Sequence, residues 1–196
     1  MATEKMTGRD ILLALLYAPG VTGKANEPIR GRTRLMKLLF IFNQELYRKF
    51  KFDEHVSPDD LPQFGPWRYG PFSREVFDTM EFFTRIGFVE LMDAGEEEPA
   101  AESAEEYGRW LDDTALDEED QSQLTEFSEQ TFRLSQKGVM FVETELWPAL
   151  STNQQSMLSE YKARFNSSPL YAILNYVYRK YPDMTARSEI RDRYLH

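Results

Sequence analysis

The chain has 196 residues, of which 41% are hydrophobic, 14% aromatic and 29% charged, a composition that builds a buried core and excludes global disorder. Cysteine is absent, which removes disulfides, thiolate zinc sites, iron–sulfur ligation and cysteine catalysis together; only two histidines, His55 and His196, remain. The net charge of −10 does not exclude an anionic partner, because from Asp93 to Glu129 fifteen acidic residues face a single Arg109, and removing that −14 leaves +4 on the rest.

No apolar run reaches the roughly 18 residues of a membrane span, and the start MATEKMTGRD lacks a basic and then apolar leader pattern. The expectation is a cytoplasmic protein without a membrane partner. Thr7 and Asp10 open a first helix with Ile11, Leu12, Leu15 and Leu16 on one stripe, closed by Pro19 and Gly20. Residues from Val21 to Gly31 read as loop. A second helix is predicted from about Thr33 to Phe50, since Leu35, Leu38, Leu39, Phe42 and Leu46 recur at helical spacing.

The proline- and glycine-rich stretch from Asp53 to Pro71 reads as a constrained connector anchored by Trp67 and Tyr69. Ser73 then caps a third helix to about Arg85, with Val76, Met80 and Phe83 on its apolar side and Phe77 widening it. Phe88 to Met92 and Thr131 to Leu134 read as two strands that pair as a hairpin across the acidic segment. Ser135 caps a helix carrying Val139, Val142 and Leu146. Thr152 and Gln155 form a capping box for the next helix, which bears Met157, Leu158, Tyr161 and Phe165. Ser168 as N-cap with Pro169 at the first helical position opens a last helix whose face runs from Leu170 to Tyr181.

Three helices leading into a β-hairpin is the order of a winged helix, here with a long acidic wing insert. The predicted fold class is therefore mainly α: a winged-helix-type core in residues 1–150, with an insert at about 93–130, and C-terminal helices in 151–196 packing on the same core.

Arg30, Arg32, Arg34 and Lys37 cluster at the start of the second helix, within a span from Lys24 to Lys51 of net charge +6, and are the candidate anion- or partner-binding residues. The competing role is structural: Arg32 and Arg34 pair with the acidic insert or cap neighbouring helix C-termini. Trp67, Arg68 and Tyr69 combine aromatics with an arginine at a rigid turn, either as an interface hot spot or as pins holding the connector to the body. The third helix carries Glu75, Asp78 and Glu81 against Arg74 and Arg85, and this net acidity opposes duplex reading by the usual helix. Gly23 and Lys24 do not make a phosphate loop, because Ala18 and Ala25 stand where the first glycine and the hydroxyl belong. No G-x-S-x-G elbow is present, and the Glu96–Glu98 and Glu118–Asp120 runs read as solvated. The expectation is no enzyme, no cofactor and no metal.

The segments GRTRLMKLLFIF (Gly31 to Phe42), PWRYGPFSREV (Pro66 to Val76), FRLSQKG (Phe132 to Gly138) and YVYRKYPDMTARSEI (Tyr176 to Ile190) resemble the YwgA-type family of small bacterial and archaeal proteins over nearly the whole chain. KLL followed by WRYGP is also similar to the Panacea antitoxin domain and the SocA proteolytic adaptor. The resemblance implies a winged-helix-like helical fold and a non-enzymatic regulatory role, antitoxin- or adaptor-like, with a protein partner such as a toxin or regulatory target. The alternative is a winged-helix DNA-binding transcription regulator using the basic patch 30–37. The acidic insert departs from the short wing of the family. It is expected to act electrostatically, covering the basic patch or presenting DNA-like charge, or else to be a solubilising loop.

Overall fold

The computed structural model describes residues 6–67, 70–93, 130–188 and 191. The expectations for the insert between residues 94 and 129, and for Arg68 and Tyr69, fall outside the described residues. The fold is mostly helical with a small antiparallel sheet, and among the described residues no helix is long and apolar enough to cross a membrane.

Helix α1 spans Gly8–Tyr17, and Asp10 Oδ2 accepts hydrogen bonds from Thr7 N at 2.7 Å and Thr7 Oγ1 at 2.9 Å, which fixes its start. The helix was expected to bury one stripe. Instead Ile11, Leu12, Leu13, Ala14, Leu15 and Leu16 are all buried, so α1 is enclosed on every side and forms the centre of the core.

The stretch read as loop contains a short strand, β1 at Ile29–Arg30, whose two residues pair with Phe132 and Thr131. Asn26 makes this possible: its Nδ2 donates to Leu134 O at 2.9 Å and its Oδ1 accepts from Leu134 N at 2.8 Å, locking the loop to a strand more than a hundred residues away. Glu27 organises the rest of the loop, accepting from Val21 N, Thr22 N, Thr22 Oγ1 and Asn166 Nδ2.

Helix α2 spans Arg32–Ile41, shorter than predicted, because the chain widens into a π-helical turn at Phe42–Leu46 before the short turn at Phe52–Glu54. A second, two-stranded sheet lies within the expected connector. Its strands β2, Gly65–Trp67, and β3, Gly70–Phe72, pair Trp67 with Gly70. Helix α3 follows at Arg74–Arg85 with Val76, Met80 and Phe83 buried, although Ser73 at its N-cap makes no side-chain cap bond.

Strands β4, Val89–Asp93, and β5, Gln130–Leu134, pair antiparallel with Val89 opposite Leu134 and Asp93 opposite Gln130, giving a three-stranded sheet in the order β1-β5-β4. Ser135 then closes the sheet and opens α4 at Gln136–Phe141: its Oγ donates to Gly87 O at 2.6 Å and accepts from Gly138 N at 3.1 Å. A Cβ at Gly138 would sit 2.2 Å from Phe88 O, so this junction admits only glycine.

Helix α5 spans Thr152–Ser167, and its capping box is Ser151 with Gln154, one residue before the predicted pair. The shift has a reason. Gln154 Nε2 also donates to Phe50 O and Lys51 O, tying the start of α5 to the chain that leaves α2. Helix α6, Leu170–Lys180, likewise begins one residue later than expected, with Pro169 as its N-cap, and ends in a turn at Pro182–Thr185. Its buried Ile173, Leu174, Val177 and Tyr178 pack on α2.

Two hydrogen bonds hold α5 to the centre: Tyr161 Oη donates to Leu38 O at 2.6 Å and Lys162 Nζ to Leu16 O at 2.6 Å. Arg34 adds a third tie from α2, donating from Nη1 to Phe165 O and, at 2.7 Å, to Ser168 O, where the last carbonyls of a helix lack intrahelical partners. Arg34→Ala is expected to lower the free energy of unfolding by about 2 kcal/mol, since two carbonyls lose a charged donor. Arg34→Lys is expected to recover only part of this, because a single ammonium does not reproduce the guanidinium fork. Urea unfolding followed by circular dichroism checks both.

Candidate functional site

The four residues of the expected basic patch have four different fates. Arg30 is exposed on β1, and Arg32 places its Cζ 3.9 Å from the centre of the Phe77 ring. Arg34 is held by the end of α5 as described; burial, then the neighbouring Arg30 charge, pulls its pKa down. Lys37 is 3% exposed and donates from Nζ to Pro71 O at 2.9 Å, so its side chain is part of the interior. The structural role weighed for Arg34, capping a neighbouring helix, is the one it performs.

Lys37 marks where three of the four sequence motifs meet. A Cβ on Gly70 would lie 3.3 Å from Tyr178 Cε2, 3.5 Å from Lys37 Nζ and 3.5 Å from Thr185 Cγ2, and Gly70 has a φ of +82°. The glycine is needed twice, for the left-handed turn and for the close approach. Tyr178 Oη and Ser188 Oγ lie 2.5 Å apart beside it, and Thr185 is fully buried with its hydroxyl donating to Pro182 O at 3.1 Å. The motifs therefore bring α2, the β2–β3 hairpin and the turn after α6 together around the buried Lys37 amino group.

Trp67, expected either to pin the connector or to face a partner, is 53% exposed at the hairpin, with its ring centre 6.0 Å from that of Phe72. The acidic character of α3 is also resolved by geometry. Arg74 Nε lies 3.8 Å from Asp78 Oδ2 and Arg85 Nη2 2.8 Å from Glu81 Oε1, so each α3 arginine is matched one turn away.

Two clusters escaped the sequence reading. Glu45 Oε1 accepts from Tyr176 Oη and Tyr181 Oη, both at 2.7 Å, while Lys180 Nζ lies 3.1 Å from Oε2. Burial works against this carboxylate, but the three donors and the lysine charge outweigh it and hold its pKa below the ordinary value. In the sequence Tyr181 reads as part of an apolar face and Tyr176 as part of a motif; their hydroxyls are the missed signal. Lys162, fully buried on α5, was hidden in the polar part of its helical pattern.

His55 lines an open groove of about 450 Å³ between the end of the α2 segment and the start of α5, with its Nε2 3.2 Å from Gln154 Oε1. Lys49 and Lys51 stand at the same groove. Lys51 pairs with Glu54 at 3.6 Å. No group of three or more histidine, aspartate or glutamate side chains is arranged to hold a metal ion among the described residues.

Compared with protein-family models, with curated proteins and with solved structures, the chain matches none. Chemistry thus has to be read from the residues themselves.

Burial pushes both Lys37 and Lys162 down from the ordinary lysine value of 10.5 to about 7. Between those values the unfolded chain binds more protons than the folded one, so stability rises with pH from about 7 and its penalty is complete below. Unfolding free energy is expected to increase from pH 7 to pH 9.5, with roughly half of the increase lost in Lys37→Met and half in Lys162→Met. A flat profile in the parent chain, measured by urea titration, overturns this.

On the acid side, burial raises and then hydrogen bonds from Asn166, Thr22 and Val21 lower Glu27, to about 2. Its contribution is complete above the ordinary carboxylate range and fades as pH falls toward 2. Glu27→Gln is expected to flatten the loss of stability between pH 5 and pH 2.5, read from thermal midpoints.

Proposed function

We propose that the chain is a non-enzymatic regulatory interaction protein, antitoxin- or adaptor-like, built on a winged-helix-type core of the YwgA kind. The fold reading is supported by the order α1, β1, α2, α3, β4, β5 and by the strand order β1-β5-β4, in which the short strand between the first two helices completes the wing sheet. The family reading is supported by the four motifs, three of which converge around Lys37.

The observation that carries the partner class is the contrast between cations and aromatics. Arg34 and Lys37 serve the interior, Arg32 lies on Phe77, and the α3 arginines sit beside carboxylates. Large apolar side chains meanwhile stand outside, among them Trp67 on the hairpin and Phe82 and Met140. Phosphate contacts supply most of the affinity for nucleic acid, whereas exposed aromatics held on short rigid elements suit protein surfaces.

The runner-up is a DNA-binding regulator acting through Arg30–Lys37, which draws on the same strand order and on the exposure of Arg30. Fluorescence anisotropy with a mixed-sequence duplex at low salt separates the two. The expected result is no binding tighter than the roughly micromolar non-specific level, unchanged in Arg30→Ala and Arg32→Ala. A tight complex that weakens steeply with salt and is lost in those variants decides for DNA. A stoichiometric protein complex isolated from the native host, weakened at least tenfold by Trp67→Ala, is the positive outcome.

A further inference from the structure

The cations near the sheet fall into two groups. Arg85 on α3 and Arg133 on β5 meet carboxylates, Glu81 at 2.8 Å and Glu90 at 3.1 Å. Arg9 and Lys137 meet rings instead: Arg9 Cζ lies 5.5 Å from the centre of Phe82 and Lys137 Nζ 5.0 Å from that of Phe88. Lys137 Nζ also donates to Ile86 O at 3.0 Å, which holds it in place, and the residue is exposed.

These two cations stand along a continuous aromatic strip. Phe82, Phe83, Phe88 and Phe141 follow one another at centroid separations of 5.5, 6.1 and 5.2 Å. Phe88 and Phe141, with Gln136, Lys137 and Met140, line an open groove of about 590 Å³. Met140 is 60% exposed and Phe82 39% exposed, so apolar surface at both ends faces water. The groove is preformed, because its floor is set by the Ser135 bonds to Gly87 and Gly138 and by the contact of Gly138 with Phe88.

We propose that this groove docks an amphipathic segment of a partner protein whose apolar side chains are flanked by Asp and Glu. Apolar side chains of such a segment cover Phe88, Phe141 and Met140, and its carboxylates meet Lys137 and, further along, Arg9. Charge selects the occupant: a basic segment would meet like charge at Lys137, and a phosphate backbone would lie over an apolar floor. The inference rests on the protein-binding reading given above and adds to Trp67 a second contact surface for it.

The test uses a fluorescein-labelled helical peptide with Leu and Phe at i, i+3, i+4 and i+7 and Glu beside them, against the same peptide with Lys in place of Glu. The acidic peptide is expected to bind the full chain at least tenfold more tightly than the basic one. Met140→Glu and Lys137→Glu are each expected to weaken it at least tenfold, with unchanged circular dichroism, since both positions are exposed. Equal binding of the two peptides, or no loss in either variant, overturns the proposal. So does self-association of the chain that Met140→Glu abolishes, because the occupant is then a second copy. A host partner that the Met140→Glu chain still retains, with no binding of the acidic peptide, removes the groove and leaves the protein-binding reading standing. Salt-dependent duplex binding removes that reading instead.

Discussion

The fold depends on a lysine amino group placed where water does not reach. Lys37 on α2 donates to Pro71 O on the hairpin, and Gly70 of the hairpin lies close to Tyr178 and Thr185, so a polar tie and a close approach together bring three separate stretches of chain to one place. A buried N–H donor or carbonyl left without its partner is costly, and that cost makes alternative placements of the hairpin unfavourable.

The second buried lysine works in the same way at the other end of the core. Lys162 reaches Leu16 O near the end of α1, and Glu27 in the adjoining loop is engaged by four donors, one of them from Asn166 on α5. Polar groups thus pin the helices at a few points along faces that are otherwise held by apolar contact. Apolar packing is tolerant of sliding; a carbonyl that needs its donor is not.

Much of this was legible in the sequence and some was not, for physical reasons. Helices appeared because their apolar residues recur at 3.6, and β4 and β5 appeared because Phe88 to Met92 and Thr131 to Leu134 have strand composition bounded by Gly87 and Ser135. Strand β1 was invisible. Two residues carry no period, and what holds them is Asn26 reaching Leu134 across the fold. The same applies to the hairpin at Gly65–Phe72, where prolines suggested only constraint. Arg34 and Lys37 looked like a surface patch because charge in a sequence reads as exposure, and only the position of α5 and the hairpin shows otherwise. Capping boxes were found to within one residue, since Thr152 with Gln155 and Ser151 with Gln154 satisfy the same pattern and the choice is made by Phe50 and Lys51.

Helix α1 has a temporal consequence. It is apolar on every side, and its partner Lys162 lies 146 residues further along the chain. At synthesis rates of about 5–20 residues per second, the first helix leaves the ribosome roughly 7 to 30 seconds before the helix that covers it exists. During that interval β5 and the Val142–Leu146 turn are made first and only α5 completes its enclosure, and long-range closure of this kind is slow. The centre of the finished molecule is therefore, in the order of its making, among the last parts to be fully covered, and a holding chaperone would find a target in the segment from Ile11 to Leu16.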